Sequence, residues 1–235
     1  MSQKNFYNII GPKYTGGKLS YANQNKVNIE IPFRMILVGG SGSGKTNTLL
    51  NIIDQMNCFH RFYIFCRNID QPLYDWLDDK LKEVSKKVDI NEEDLFLASN
   101  TLDDMPPLET FQRDLHNLII IDDFVGDSAK NLNKIANIFI RSRTFNASVI
   151  FITQSFFEVP KIIRGNIGYI LIKRFDDPDD FKLVAKKYFP GKVNNVISVY
   201  DKVFSHPGNE NFLIFDLKTT DPTKRLRINW NPVKI

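Results

Sequence analysis

One eight-residue segment constrains this chain more than any other. The apolar run Met35-Ile36-Leu37-Val38 leads directly into Gly39-Gly40-Ser41-Gly42-Ser43-Gly44-Lys45-Thr46, and a helix-forming stretch, Asn47–Met56, follows at once. The spacing fits G-x-x-x-x-G-K-[ST]. Glycines let the backbone take positive φ and turn its N–H groups toward one centre. The start of the following helix adds a partial positive charge. In this reading Lys45 reaches the β- and γ-phosphates of a nucleotide, and the Thr46 hydroxyl binds Mg²⁺.

The rest of the chain agrees with such a start. Short apolar runs recur at Arg34–Val38, Phe62–Cys66, Leu95–Ala98, Leu118–Ile121, Ser148–Thr153, Tyr169–Ile172 and Phe212–Phe215. They lack polar alternation, so both sheet faces should be covered by helices. One helix is expected from Pro72, with Leu73, Trp76, Leu77, Leu81 and Val84 inward. Another follows Asp127 or Ser128 to about Ile140. A third follows Asp177-Pro178 and stops at Pro190-Gly191. The expected fold is α/β, a mostly parallel sheet with helices on both faces. Residues 1–30 read as a partly irregular arm, with a short strand over Val27–Ile31. Residues 31–235 read as a single P-loop ATPase domain, with a core over 31–175 and a helical and strand extension over 176–235.

Two further segments carry chemistry. Leu118-Ile119-Ile120-Ile121-Asp122-Asp123 is an apolar strand ending in two carboxylates. In an open α/β sheet, ligands sit at the carboxyl ends of the strands. Asp122 can then hold Mg²⁺ opposite Thr46, and Asp123 can polarise the attacking water. Ser148-Val149-Ile150-Phe151-Ile152-Thr153-Gln154 ends in polar groups, and beside the acid-bearing strand it would bring Gln154 near the γ-phosphate. Just upstream, Arg141-Ser142-Arg143 can supply an arginine to a neighbouring subunit's site, or simply cover a helix end.

Together, GGSGSGKT, LIIIDD and RSRTFNASVIFITQ resemble the FtsK/HerA superfamily of DNA-pumping ATPases. Within it, they are most similar to the poxvirus-type genome-packaging ATPases of large DNA viruses and virophages. The eleven-residue step from Arg143 to Gln154 is part of that likeness, which covers about residues 30–175. The resemblance implies a P-loop NTPase of the RecA/ASCE type that hydrolyses ATP with Mg²⁺. Gly39, Gly40, Ser41, Gly42, Ser43, Gly44, Lys45 and Thr46 would cradle the nucleotide. Thr46 and Asp122 would hold the metal, Asp123 would be the catalytic acid position, and Gln154 the sensor. Arg143 would be the finger acting in trans, with Arg141 as the alternative. Many relatives carry Glu where this chain has Asp123. A homo-oligomeric ring, hexamer or pentamer, would surround double-stranded DNA and meet a capsid vertex or portal-like protein. The setting would be the host cytoplasm, in a virus factory, or the virion.

Composition sets the remaining bounds. The chain is 43% hydrophobic and 25% charged, enough to bury a core. No apolar stretch is long enough to span a membrane, and MSQKNFYNII lacks a leader's apolar run. Cys58 and Cys66 are the only cysteines; they read as small buried hydrophobes with no disulfide framework. Net charge is +4, with basic flanks around a slightly acidic centre. Lys161, Arg164, Lys173 and Arg174, on the loops after Gln154, are candidate contacts to DNA phosphates. Phe59-His60-Arg61-Phe62-Tyr63 is a candidate neighbour of the adenine, while most aromatic residues read as core. A guanine-nucleotide switch is excluded, because Asn133-Lys134-Ile135-Ala136 lacks the base-reading Asp. Another ring ATPase such as a helicase, a small nucleotide or metabolite kinase, and a non-enzymatic capsid scaffold are the competing readings. No nuclease constellation is visible.

Overall fold

A computed structural model describes residues 20–68, 71–89, 91–206 and 210–235. The seven apolar runs and two further short strands form a single nine-stranded sheet. In chain order the strands are β1 (Arg34–Val38), β2 (Arg61–Cys66), β3 (Phe96–Ser99), β4 (Asn117–Asp122), β5 (Ala147–Thr153), β6 (Tyr169–Ile172), β7 (Leu213–Asp216), β8 (Leu226–Ile228) and β9 (Asn231–Pro232). Their order in space is β3-β2-β4-β5-β1-β6-β7-β8-β9. The pairings from β3 to β6 are parallel; those from β6 to β9 are antiparallel.

The helices are α1 (Gln24–Val27), α2 (Lys45–Met56), α3 (Pro72–Val88), α4 (Glu92–Leu95), α5 (Ala129–Arg141), α6 (Lys161–Arg164), α7 (Pro178–Tyr188) and α8 (Val193–Val203). One sheet face is covered by α2 and α3 through Leu49, Ile52, Met56, Tyr74, Leu77 and Leu81. The other is covered by α5, α7 and α8 through Ile135, Phe139, Phe181, Val184, Val196 and Tyr200. With helices on both sides the central strands are buried throughout, which is why they read as unbroken apolar runs. The fold is α/β, a mostly parallel sheet between two helical layers.

Several expectations need correction. The short strand expected over Val27–Ile31 is absent; helix α1 ends at Val27, residues 28–31 are irregular, and Val27 and Ile29 are buried against the sheet. Residues 1–19 of the expected arm lie outside the described residues. Leu95 ends α4, so β3 starts one residue later than its apolar run. Helix α3 is turned from its expected phase: Tyr74, Leu77 and Leu81 are buried, whereas Leu73, Trp76 and Val84 are exposed. A period through residues 74, 77, 81 and 85 was equally present in the sequence.

Candidate functional site

The site is built by strand order. β4, β5 and β1 are adjacent, so their carboxyl ends open side by side. Asp122 lies opposite Ile152, and Val38 opposite Thr153. Neighbouring strands are about 4.8 Å apart. The phosphate loop, the acid pair and Thr153-Gln154 therefore converge on one cleft of about 360 Å³.

The loop has the expected geometry. Gly42 and Gly44 take φ of 66° and 84°, values that an L side chain adopts only with strain. Lys45 Nζ donates to the carbonyls of Gly39 at 2.8 Å and Gly40 at 2.7 Å. Burial lowers its pKa from the usual lysine value, and the carboxylates of Asp122, Asp176 and Asp123 oppose that shift. Ser43 Oγ is buried without a hydrogen-bond partner.

Asp122 is buried at the end of β4. Burial raises its pKa, and donors on the carboxylate act against it. Tyr74 Oη donates to Oδ2 at 2.7 Å, and the Cys66 thiol donates to the same oxygen at 3.7 Å. Among the described residues no donor reaches Oδ1. The Thr46 hydroxyl likewise has no protein partner there. One free carboxylate oxygen, one free hydroxyl and a phosphate cradle fit Mg²⁺, which is normally held by one or two protein groups plus substrate phosphates. No cluster of three or more His, Cys, Asp or Glu suited to a metal occurs among the described residues, so these residues do not form an all-protein cage.

Asp123 adopts φ of 63°, a left-handed conformation that Asp tolerates better than most residues. The kink turns its exposed side chain off the strand line and into the cleft lining. Gln154 is exposed in the same lining. The residue before it is fixed: Thr153 Oγ1 donates to Ser155 O at 3.0 Å and accepts from Ser155 N–H at 3.2 Å.

The two arginines lie elsewhere. Both precede β5, at the opposite edge of the sheet from the cleft. A seven-residue strand separates them from Gln154, a span of about 23 Å at ~3.3 Å per residue. Neither reaches its own cleft. Arg141 is ion-paired with Glu109 and lies over the Phe145 ring. Arg143 is exposed and makes no side-chain hydrogen bond or ion pair among the described residues.

Other candidates move. Lys173 is 1% exposed, packed behind the phosphate loop with Nζ donating to Asn211 O at 2.8 Å. It is not a surface contact for DNA; burial lowers its pKa, with the Glu210 carboxylate opposing. Arg164 is half-buried, bonded to Val159 O and lying over Phe156 and Phe157. Lys161 and Arg174 are exposed. Phe59 to Tyr63 sit where β2 begins, against His116, at the sheet edge away from the cleft. Cys66 is buried but serves Asp122 rather than only filling space, and Cys58 is half-buried. The reading missed Tyr74, whose burial follows from the alternative phase of α3. It also missed Asp176, for which the sequence carries no signal.

The chain is similar to several known proteins. DNA packaging protein OPG160 of vaccinia virus (strain Copenhagen) is 25% identical over 189 residues, covering 79% of this chain and 69% of that protein. The monkeypox virus protein of the same name is 25% identical over 189 residues, covering 62% of its length. Among solved structures, the genome packaging NTPase B204 from Sulfolobus turreted icosahedral virus 2, in complex with ATP-gammaS, aligns with a TM-score of 0.56 at 14% identity. That alignment covers 87% of this chain and 100% of B204, and shows the same fold. The family model for the poxvirus A32 protein matches residues 21–216, and this chain belongs to that family.

Proposed function

We propose that this chain is the ATPase subunit of a viral DNA-packaging motor, translocating double-stranded DNA into a preformed capsid. The observation that carries the reading is the division of the site between two sheet edges. Loop, acids and glutamine share one edge, while an uncommitted arginine stands at the other. Such a site is complete only when a second copy brings Arg143 to it, as in a head-to-tail ring. The names of the vaccinia and B204 proteins, both packaging factors, support the same role.

In this mechanism the loop N–H groups and Lys45 bind the phosphates of ATP. Thr46 and Asp122 would hold Mg²⁺, which would supply charge neutralisation at the phosphates. Asp123 accepts the proton of the attacking water, and Gln154 orients that water. Arg143 of the neighbouring copy stabilises charge in the transition state. Contact with DNA goes to phosphates, because a pump must be indifferent to sequence; of the four candidate cations after Gln154, Lys161 and Arg174 are the exposed ones.

ATP hydrolysis measured over a range of protein concentrations, with and without long double-stranded DNA, tests this reading. Turnover should rise with both and vanish in Lys45→Ala. Turnover indifferent to both would instead favour a small-molecule kinase.

A further inference from the structure

We propose that Asp176 is a latch on the phosphate loop. Its carboxylate holds the loop through the Ser41 N–H, and the phosphates of an incoming nucleotide must displace it. The inference rests on the reading of this loop as an ATP site.

Asp176 lies between β6 and α7. Its Oδ2 accepts the Ser41 N–H at 3.1 Å. Two residues earlier, the Arg174 carbonyl accepts the Gly40 N–H at 2.8 Å. A Cβ at position 40 would stand 2.0 Å from Asp176 Oδ1 and 2.3 Å from its Cγ, so the contact exists only because that residue is glycine. The N–H groups of a phosphate loop are laid out for anions. Here the chain supplies an anion of its own. Asp176 has no ion-pair partner among the described residues, and its field also acts on Lys45. A phosphate and this carboxylate would compete for one N–H and repel each other. Nucleotide therefore binds against the latch.

Release would not stay local. The Phe175 N–H donates to Tyr200 Oη at 2.7 Å, tying the residue before Asp176 to α8. Tyr200 stacks on Phe181 of α7 with ring centroids 3.8 Å apart. On the other side, Asp177 caps α7 by accepting the Asp179 N–H at 2.8 Å. Both neighbours of Asp176 are thus fixed to the α7–α8 pair. Displacing the carboxylate loads that pair, which makes it the part of the chain that registers whether nucleotide is bound.

Calorimetric titration of the full chain with ATPγS tests this, using Asp176→Ala and the near-isosteric Asp176→Asn. Both variants should bind about tenfold more tightly than the parent, since a like charge beside the phosphates is gone. Hydrogen exchange gives an independent readout. In the parent, ATPγS should speed exchange at residues 174–179; in Asp176→Ala those amides should already exchange fast, with or without ATPγS. Equal or weaker binding by both variants, with unchanged thermal melts, would overturn the latch while leaving the ATP site intact. If Lys45→Ala leaves ATPγS binding by the parent unaltered, the ATP-site reading falls and the latch with it.

Discussion

A carboxylate at the buried end of a core strand is unfavourable when charged, and Asp122 shows how the fold lowers that cost. Both of its donors, Tyr74 and Cys66, bond the same oxygen, which orients the group and leaves the other oxygen for a metal or its water. Tyr74→Phe keeps the packing and removes the stronger donor. The Mg²⁺ concentration for half-maximal ATPase should rise by about tenfold, while metal-free nucleotide binding stays unchanged. An unchanged Mg²⁺ dependence would reduce Tyr74 to a packing residue. His116 offers a residue-scale test of stability. Burial, with the His60 charge adding to it, pushes its imidazole down to about 4 from 6.5. The unfolded chain then takes up a proton near pH 6.5 while the native state stays neutral to about 4. Stability should be full above that window, fall by about 3 kcal/mol as pH drops through it, and level off below. Urea unfolding at a series of pH values should show this loss, and His116→Gln should remove that part of the slope.

At the scale of elements, strands β1 to β7 were legible as apolar runs and the last two antiparallel strands, β8 and β9, were not, for a physical reason. Strands β1, β4, β5 and β6 are buried on both faces and must be apolar along their length. Strand β8 is three residues long with Arg227 at its centre, and a central charge reads as surface. Arg227 is instead 1% exposed. Its guanidinium pairs with Asp216 of β7 and donates to the carbonyls of Asn28 at 2.7 Å and Val27 at 3.3 Å. One side chain therefore joins the hairpin to the turn after α1, a contact between distant parts of the chain that no local pattern announces. Helix α8 escaped notice similarly: its first turn carries Asn194-Asn195, poor helix formers, and packing of Val196, Tyr200 and Val203 decides the matter. Removing Arg227 leaves Asp216 buried and unpaired. Arg227→Ala should cost about 3–5 kcal/mol in urea unfolding. Arg227→Met with Asp216→Leu should recover much of it, because the uncompensated charge is gone; equal losses in both would mean the pair contributes only volume.

For the whole molecule, exposed apolar side chains lie near both the cleft and the segment that carries Arg143. Leu73 and Trp76, 37% and 50% exposed, stand on α3 beside the cleft, and Leu73 is part of its lining. Ile140 and Ile162, 49% and 51% exposed, lie on the opposite sheet face; Ile140 sits three residues before Arg143. Two different apolar surfaces on one chain suit a heterologous interface, the kind that gives a ring when its rotation closes and a filament when it does not. If the arginine acts across that interface, the site belongs to two chains, and defects in the two chains should complement. Lys45→Ala and Arg143→Ala should each be inactive alone, the second by at least ~10³-fold. Mixed in equal amounts and allowed to exchange, they should regain activity. A productive site then needs its loop from an Arg143→Ala copy and its arginine from a Lys45→Ala neighbour, which random assembly supplies at about a quarter of sites. Activity recovered on mixing, and lost again on dilution below the assembly concentration, would assign Arg143 to the neighbour's reaction. A mixture as inactive as its components, in sedimenting rings of normal size, would confine Arg143 to its own subunit and end the division of the site between two chains.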